Sequence, residues 1–266
     1  MAKILITGQS GDVGSVLFRL YREAGEDIAQ LDVTNDVKAE RILHLAAKSP
    51  PASNSEMIKS NVMYLQQVIE YAKKNDIKEL IFFSAASVYG DINKEDVQED
   101  DEWTNPSFYG SLKYLGEELL EESPLSVLCL RFPAILGFRN TTNFLSRLFM
   151  QLRDGKDVEI TNADKLFNNF VSIESISEFL RQVKLTKSFD VINVASKKEK
   201  TLFEMATIIK NALNSQSKIK ISDKTSNFFN VSVEKAEKYG FVPEGVELSL
   251  KRWVKQRVEY EKVNVS

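Results

Sequence analysis

The sequence predicts an α/β chain, a doubly wound parallel sheet followed by a smaller mixed α/β lobe. Three observations predict it. Short apolar runs alternate with longer helical patterns over the first two-thirds of the chain, which is the rhythm of strands joined by crossover helices. A glycine-rich turn joins the first apolar run to the first helical pattern. After Gly137 the alternation gives way to amphipathic helices separated by charged stretches such as Lys197–Lys200.

The expected strands are Lys3–Thr7, Asp27–Leu31, Arg41–Leu45, Glu79–Ser84, Ser126–Arg131 and, much later, Val191–Val194. Val13, Val16, Leu17, Leu20 and Tyr21 recur at helical spacing between the first two, and Val62, Leu65, Val68 and Ile69 do so further on. Phe108–Tyr114 opens another helical segment. Phe144–Leu152, Thr201–Leu213 and Leu248–Val258 are amphipathic, and Trp253 with Phe228 and Phe229 reads as packing for the second lobe. The sheet domain is expected over 1–137, completed by a strand from 169–196, and the second lobe over 138–266.

Composition narrows the function classes. Hydrophobic residues make up 43% and charged residues 27%, ordinary for a globular chain, and the net charge of −3 is spread without a basic stripe. Nucleic acid and anionic membranes are therefore not expected partners. The apolar run in Met1–Thr7 is too short for a signal peptide, and no stretch approaches the roughly 20 apolar residues of a membrane span, so a cytoplasmic protein is expected. One cysteine, Cys129, and one histidine, His44, make neither an internal disulfide nor a conventional zinc site, and no metal is expected.

The strongest chemical signal is Thr7-Gly8-Gln9-Ser10-Gly11-Asp12-Val13-Gly14, between strand and helix. A sharp turn at Gly8, close backbone approach at Gly11 and tight helix packing at Gly14 would present the helix N-terminus to a dinucleotide pyrophosphate, as in a Rossmann fold. Gly8, Gln9, Ser10, Gly11, Asp12, Val13 and Gly14 are the expected cofactor-binding residues of this turn. Asp32 follows Gly14 by 18 positions, where a carboxylate can accept ribose hydroxyls and repel a 2′-phosphate. That favours NAD, with NADP still open; the other reading of Asp32 is a turn residue in Asp32–Asp36. Tyr109 and Lys113, four apart, share one helix face. A lysine ammonium beside a phenol lowers its pKa, making Tyr109 a usable proton donor and acceptor while Lys113 reaches toward the nicotinamide ribose.

Taken in order, Thr7–Gly14, Asp32, His44–Ala47, Asn61, Ser84–Gly90, Tyr109–Lys113, Leu130–Gly137, Phe167–Val171 and Lys238–Pro243 resemble the extended short-chain dehydrogenase/reductases, the nucleotide-sugar epimerase/dehydratase family. The resemblance spans nearly the whole chain. It implies that Leu45, Ala46, Ala47 and Phe132 line an NAD cofactor, that Asn61 braces the catalytic region, and that Tyr109 works with Lys113. Read alone, Leu45–Ala47 is equally a buried strand end and Asn61 a capping residue. The resemblance also implies a nucleotide-sugar substrate and a homodimer paired through the helices that follow Asn61 and Tyr109.

Departures from the family pattern narrow the reaction. The resemblance places a substrate-polarising Ser or Thr at Ala85, and losing such a hydrogen bond costs ~10²-fold in rate. Ser84 is the candidate catalytic hydroxyl beside it, while Ser87, Asn143, Arg147 and Asn168 are candidate substrate contacts. Strand alternation argues against a neighbouring hydroxyl replacing the one missing at Ala85. Ala86 and Ser87 lack the acid pair of the family's dehydratases, and Cys129 and His44 read as packed rather than catalytic. Hydride transfer at a secondary alcohol or ketone remains, as a 4-epimerase or 4-keto reductase of a nucleotide sugar. The competing reading is a dinucleotide-binding sensor or scaffold with weakened chemistry. His44 follows Asp32 by only 12 positions, so the sheet edge beside the adenine is expected to be trimmed.

Overall fold

The computed structural model describes residues 3–92 and 94–264; Met1 and Ala2, at the start of the expected first domain, and Val265 and Ser266, at the end of the expected second lobe, lie outside the described residues, as does Asn93. In chain order the sheet domain holds β1 (Ile4–Thr7), α1 (Asp12–Glu23), β2 (Ile28–Gln30), β3 (Arg41–His44), α2 (Asn54–Ile58), a π-helical turn (Lys59–Met63), α3 (Tyr64–Lys74), β4 (Glu79–Ala85), a 3₁₀ turn (Ala86–Tyr89), β5 (Asp96–Val97), α4 (Phe108–Glu121) and β6 (Ser126–Phe132). There follow β7 (Ala134–Ile135), α5 (Phe144–Arg153), β8 (Val158–Ile160), β9 (Phe170–Val171), α6 (Ile173–Gln182), β10 (Phe189–Asn193), α7 (Leu202–Ala212), β11 (Ile219–Ile221), β12 (Asn230–Val231), α8 (Glu234–Lys238) and α9 (Val246–Asn264).

Among the described residues the main sheet has six strands in the order β10-β6-β4-β3-β1-β2, each pair parallel. A sheet covered on both faces needs apolar residues at successive positions, which is why its strands read as runs rather than alternations. On one face Leu17 and Tyr21 of α1 and Ile176 and Phe179 of α6 pack on Ile6, Leu43 and Ile81. On the other, Leu65 and Val68 of α3 and Leu120 of α4 pack on Leu5, Ile42 and Phe82. A separate core joins α5, α7 and α9 around Phe149, Met205 and Trp253, and Trp253 Nε1 donates to the Gly137 carbonyl at 2.9 Å.

The six expected strands all form, with ends shifted by one or two residues. Helix α6 and the small parallel pairs β5–β12, β7–β9 and β8–β11 have no counterpart in the sequence reading. Each member of these pairs has at most three residues, too few for a periodicity. Pairs β5–β12 and β7–β9 tie late segments to the C-terminal end of the main sheet, and that is where a site can form. As expected from the short Asp32–His44 spacing, residues 31–40 run from β2 to β3 without helix or strand, leaving β2 at the sheet edge.

Candidate active site

A cavity of about 740 Å³ opens at the C-terminal ends of β1, β3, β4 and β6. Its floor is the glycine turn. Gly14 packs so tightly that an added Cβ would lie 2.1 Å from the Gly8 carbonyl oxygen, so any side chain there would push the turn apart. Gly11 caps α1 with no side-chain hydrogen bond, which leaves first-turn amides of α1 to an incoming group. Gly8, Gly11, Val13 and Gly14 line the cavity, and Leu45, Ala47 and Phe132 line its walls. Bare backbone amides at a helix N-terminus, backed by small residues, fit a dinucleotide pyrophosphate.

Strands β1 and β3 are aligned here by Thr7. Its Oγ1 accepts from the Leu45 and Ala46 amides at 3.1 and 3.0 Å and donates to His44 Nδ1 at 3.0 Å. His44 is buried and stacked on Phe82, and burial holds its pKa down at about 3, so the ring stays neutral. Cys129 lies fully buried in β6, where desolvation raises the thiol. Both are packing residues, as the sequence reading has them.

Several expected contacts are placed differently. Asp12 lines the cavity, but its carboxylate accepts from the amides of Phe138, Arg139 and Asn140 at 2.8, 3.0 and 3.1 Å, stapling the loop after Gly137 onto α1. Gln9 pairs with Gln30, and the carbonyl of exposed Ser10 accepts from Arg139. Asp32 sits exposed after β2, outside the cavity lining, with its oxygens bonded by Thr34 and Asn35 in the turn reading. Asn61 is buried in the π turn, and its Nδ2 donates to the Lys48 and Met57 carbonyls at 2.8 and 2.9 Å.

Helix α4 carries the expected pair. Ser107 caps it by accepting from the Gly110 amide, which fixes the helix start and sets Tyr109, Lys113 and Glu117 along one inward face. Tyr109 and Lys113 both line the cavity. Lys113 Nζ donates to the Phe83 carbonyl at 2.7 Å and lies 5.8 Å from the Tyr109 ring centroid. The expected lowering of the phenol pKa does not appear, because burial dominates and pushes Tyr109 up to about 12. Burial also brings Lys113 down to about 8, against the opposing pull of the Glu117 carboxylate.

That second shift carries a stability prediction. Between pH 8 and 10.5 the folded chain binds fewer protons at Lys113 than the unfolded chain, so its contribution rises with pH across this window. Below about pH 8 the full penalty of a buried ammonium is present. We expect Lys113→Met, measured by urea unfolding, to flatten this rise relative to wild type by about 1–3 kcal/mol. Parallel stability–pH curves for the two proteins would contradict the burial of a titrating lysine.

Ser84 is corrected. It lines the cavity, but its hydroxyl donates to Glu117, which Arg131 grips through Nε and Nη2, so it is not the free hydroxyl the sequence reading expects. Asn168 is corrected likewise: its amide bonds Val231 on both sides and its backbone N–H donates to Asn230, holding β12. Its neighbour Asn169 faces the cavity instead, with Nδ2 fixed on the Phe229 carbonyl and Oδ1 buried without a partner among the described residues. The sequence signal was the Asn168-Asn169 pair, whose choice of face depends on where β9 begins. Arg147 is exposed, donates to the Thr142 carbonyl and does not line the cavity. Asn143 does, presenting a buried, unpartnered Nδ2 while its Oδ1 caps α5.

A second, larger cavity of about 910 Å³ lies along β10, but its central carboxylate, Asp190, is already met by Lys187, Lys235 and Tyr239 within 2.7 Å. No described helix is long and apolar enough to cross a membrane.

The model of a family described as the NAD dependent epimerase/dehydratase family matches residues 4–168. A putative UDP-glucose 4-epimerase of Methanocaldococcus jannaschii is 23% identical, with 98% of this chain and 99% of that protein covered. An uncharacterized protein of the same organism is 26% identical over 70% of this chain, and the chain spans only 60% of that relative's length. The crystal structure of UDP-glucuronic acid 4-epimerase from Bacillus cereus in complex with NAD shares the fold, with a TM-score of 0.77 at 20% identity over 96% of this chain and 99% of that one.

Proposed function

Because this chain belongs to the NAD-dependent epimerase/dehydratase family, we propose that it is a nucleotide-sugar 4-epimerase that holds NAD on the Gly8–Gly14 turn and acts through Tyr109 and Lys113. The observation that carries the reading is that one cavity joins the uncapped N-terminus of α1 to Tyr109 and Lys113. NAD, when bound, supplies the hydride acceptor and donor and, while oxidised, a positive charge close to the reacting groups. Tyr109, protonated at neutral pH, gives its proton to the substrate oxygen as a ketone becomes an alcohol and takes one back in the reverse direction. Lys113, anchored on the Phe83 carbonyl, stands ready for a ribose hydroxyl. Asn143 Nδ2 and Asn169 Oδ1 offer one donor and one acceptor to a polyhydroxylated ligand. Exposed Met63, Phe108 and Leu115, on the π turn and α4, are the surface of the homodimer in this reading.

One observation favours a second reading, a 4-keto reductase whose cofactor exchanges each turn. The sheet ends at β2 and Asp32 stands outside the cavity, so the adenosine end has fewer walls to hold it. The test is incubation of the purified protein with UDP-glucose, UDP-galactose and their N-acetyl forms in the presence of NAD, and with a UDP-4-keto-hexose in the presence of NADH, with products resolved by NMR. Interconversion of C4 epimers with no net change in added NAD supports the epimerase, and stoichiometric NADH consumption with a 4-keto sugar supports the reductase. No conversion of any of them, with NAD bound, would sink both in favour of a dinucleotide-binding protein.

A further inference from the structure

We propose that Ser87 is a catalytic residue, donating a hydrogen bond from its hydroxyl to the reacting oxygen of the substrate beside Tyr109. The inference rests on the reading of Tyr109 given above and assigns a further residue to it.

The wall between β4 and α4 is formed by Ser84, Ala85, Ala86 and Ser87. Ala85 and Ala86 bring no polar side chain, and the Ser84 hydroxyl is bound to Glu117. Ser87 alone of the four has an uncommitted hydroxyl: its Oγ is buried and has no hydrogen-bond partner among the described residues. Buried hydroxyls are rarely left so, and for one in a cavity wall an oxygen of an entering ligand would supply the missing partner.

The backbone explains how Ser87 escapes the alternation argument. The extended chain ends at Ala85, with φ −143° and ψ 145°, and Ala86–Tyr89 then coil into a 3₁₀ turn. Side-chain direction at position 87 therefore follows the turn rather than the strand. The turn is also locked against α4: a Cβ on Gly110 would lie 2.1 Å from the Ser87 carbonyl oxygen, so only glycine allows this approach. Ser87 is thereby fixed against the residue that follows Tyr109. It transfers no proton; the phenol does, and the serine O–H stabilises charge building on the same oxygen.

The test is steady-state kinetics of wild type, Ser87→Ala and Ser87→Thr on whichever UDP-sugar the wild type converts, with NAD affinity and thermal midpoint measured alongside. The expected result is a fall in kcat of roughly 10²-fold for Ser87→Ala with a smaller change in KM, and near-wild-type kcat for the hydroxyl-bearing Ser87→Thr. NAD affinity is expected to be unchanged and the midpoint of Ser87→Ala no lower, because the variant deletes an unpartnered buried group. A Ser87→Ala kcat within about threefold of wild type would overturn the assignment alone, as would equal losses in Ala and Thr variants. An inactive wild type would overturn both the assignment and the reading on which it rests.

Discussion

Tyr109→Phe is expected to lower kcat by about 10²–10⁴-fold, the range for removing a positioned general acid–base. KM should move only a few-fold, because the ring that packs in the cavity wall is kept and just the phenolic oxygen is lost. Stability should hardly change. Burial has already raised this phenol to about 12, so at neutral pH the wild type buries no charge there that the variant would relieve. The measurement is initial-rate kinetics beside an NAD titration. Loss of kcat with intact cofactor binding supports a proton-transfer role. Equal turnover in both proteins would assign the cavity to binding without Tyr109 chemistry.

Glu117→Ala is expected to cost about 3–5 kcal/mol of folding stability. The Glu117 carboxylate and Arg131 guanidinium pair at 2.7 Å with side chains 3% and 8% exposed. Removing the acid leaves Arg131 desolvated, with the Glu99 carbonyl at 2.9 Å and the Tyr89 ring, 4.9 Å from the guanidinium carbon, in place of a countercharge, and strands the Ser84 hydroxyl. Lys113 also loses the one carboxylate that opposes its desolvation, so its pKa should fall below the wild-type value of about 8. Urea unfolding of the single variants and of Glu117→Ala/Arg131→Met measures the coupling. The double variant should recover part of the loss, since an apolar pair can replace a buried ion pair but a lone guanidinium cannot be left behind. A loss below about 1 kcal/mol in the single variant would mean that the pair is hydrated in solution.

The fold was legible because a two-sided parallel sheet writes itself as apolar runs, and because Gly8, Gly11 and Gly14 mark the turn that β1 and α1 must make. The Tyr109–Lys113 face was legible from helical spacing alone. What was not legible depends on contacts between distant segments. Asn168 and Asn169 are indistinguishable by chemistry, and only the pairing of β9 with β7 and the anchorage on β12 send one inward and the other to the cavity. Ser84 reads as a free hydroxyl until Glu117, 33 positions away, is seen to claim it. Asp12 reads as part of a phosphate turn, and the amides that capture it lie more than a hundred positions downstream. The electrostatic expectation at Tyr109 failed because spacing gives proximity but not burial, and burial sets both pKa values here.

The most direct test is calorimetric titration of the purified chain with NAD, alongside a Gly14→Val variant whose side chain would strike the Gly8 carbonyl. The account predicts one NAD bound per wild-type chain and a loss of affinity of at least about 10²-fold in the variant, since the amide cradle cannot form around a displaced turn. Wild-type protein that takes up no NAD at millimolar concentration, or a variant that binds as tightly as wild type, would contradict it.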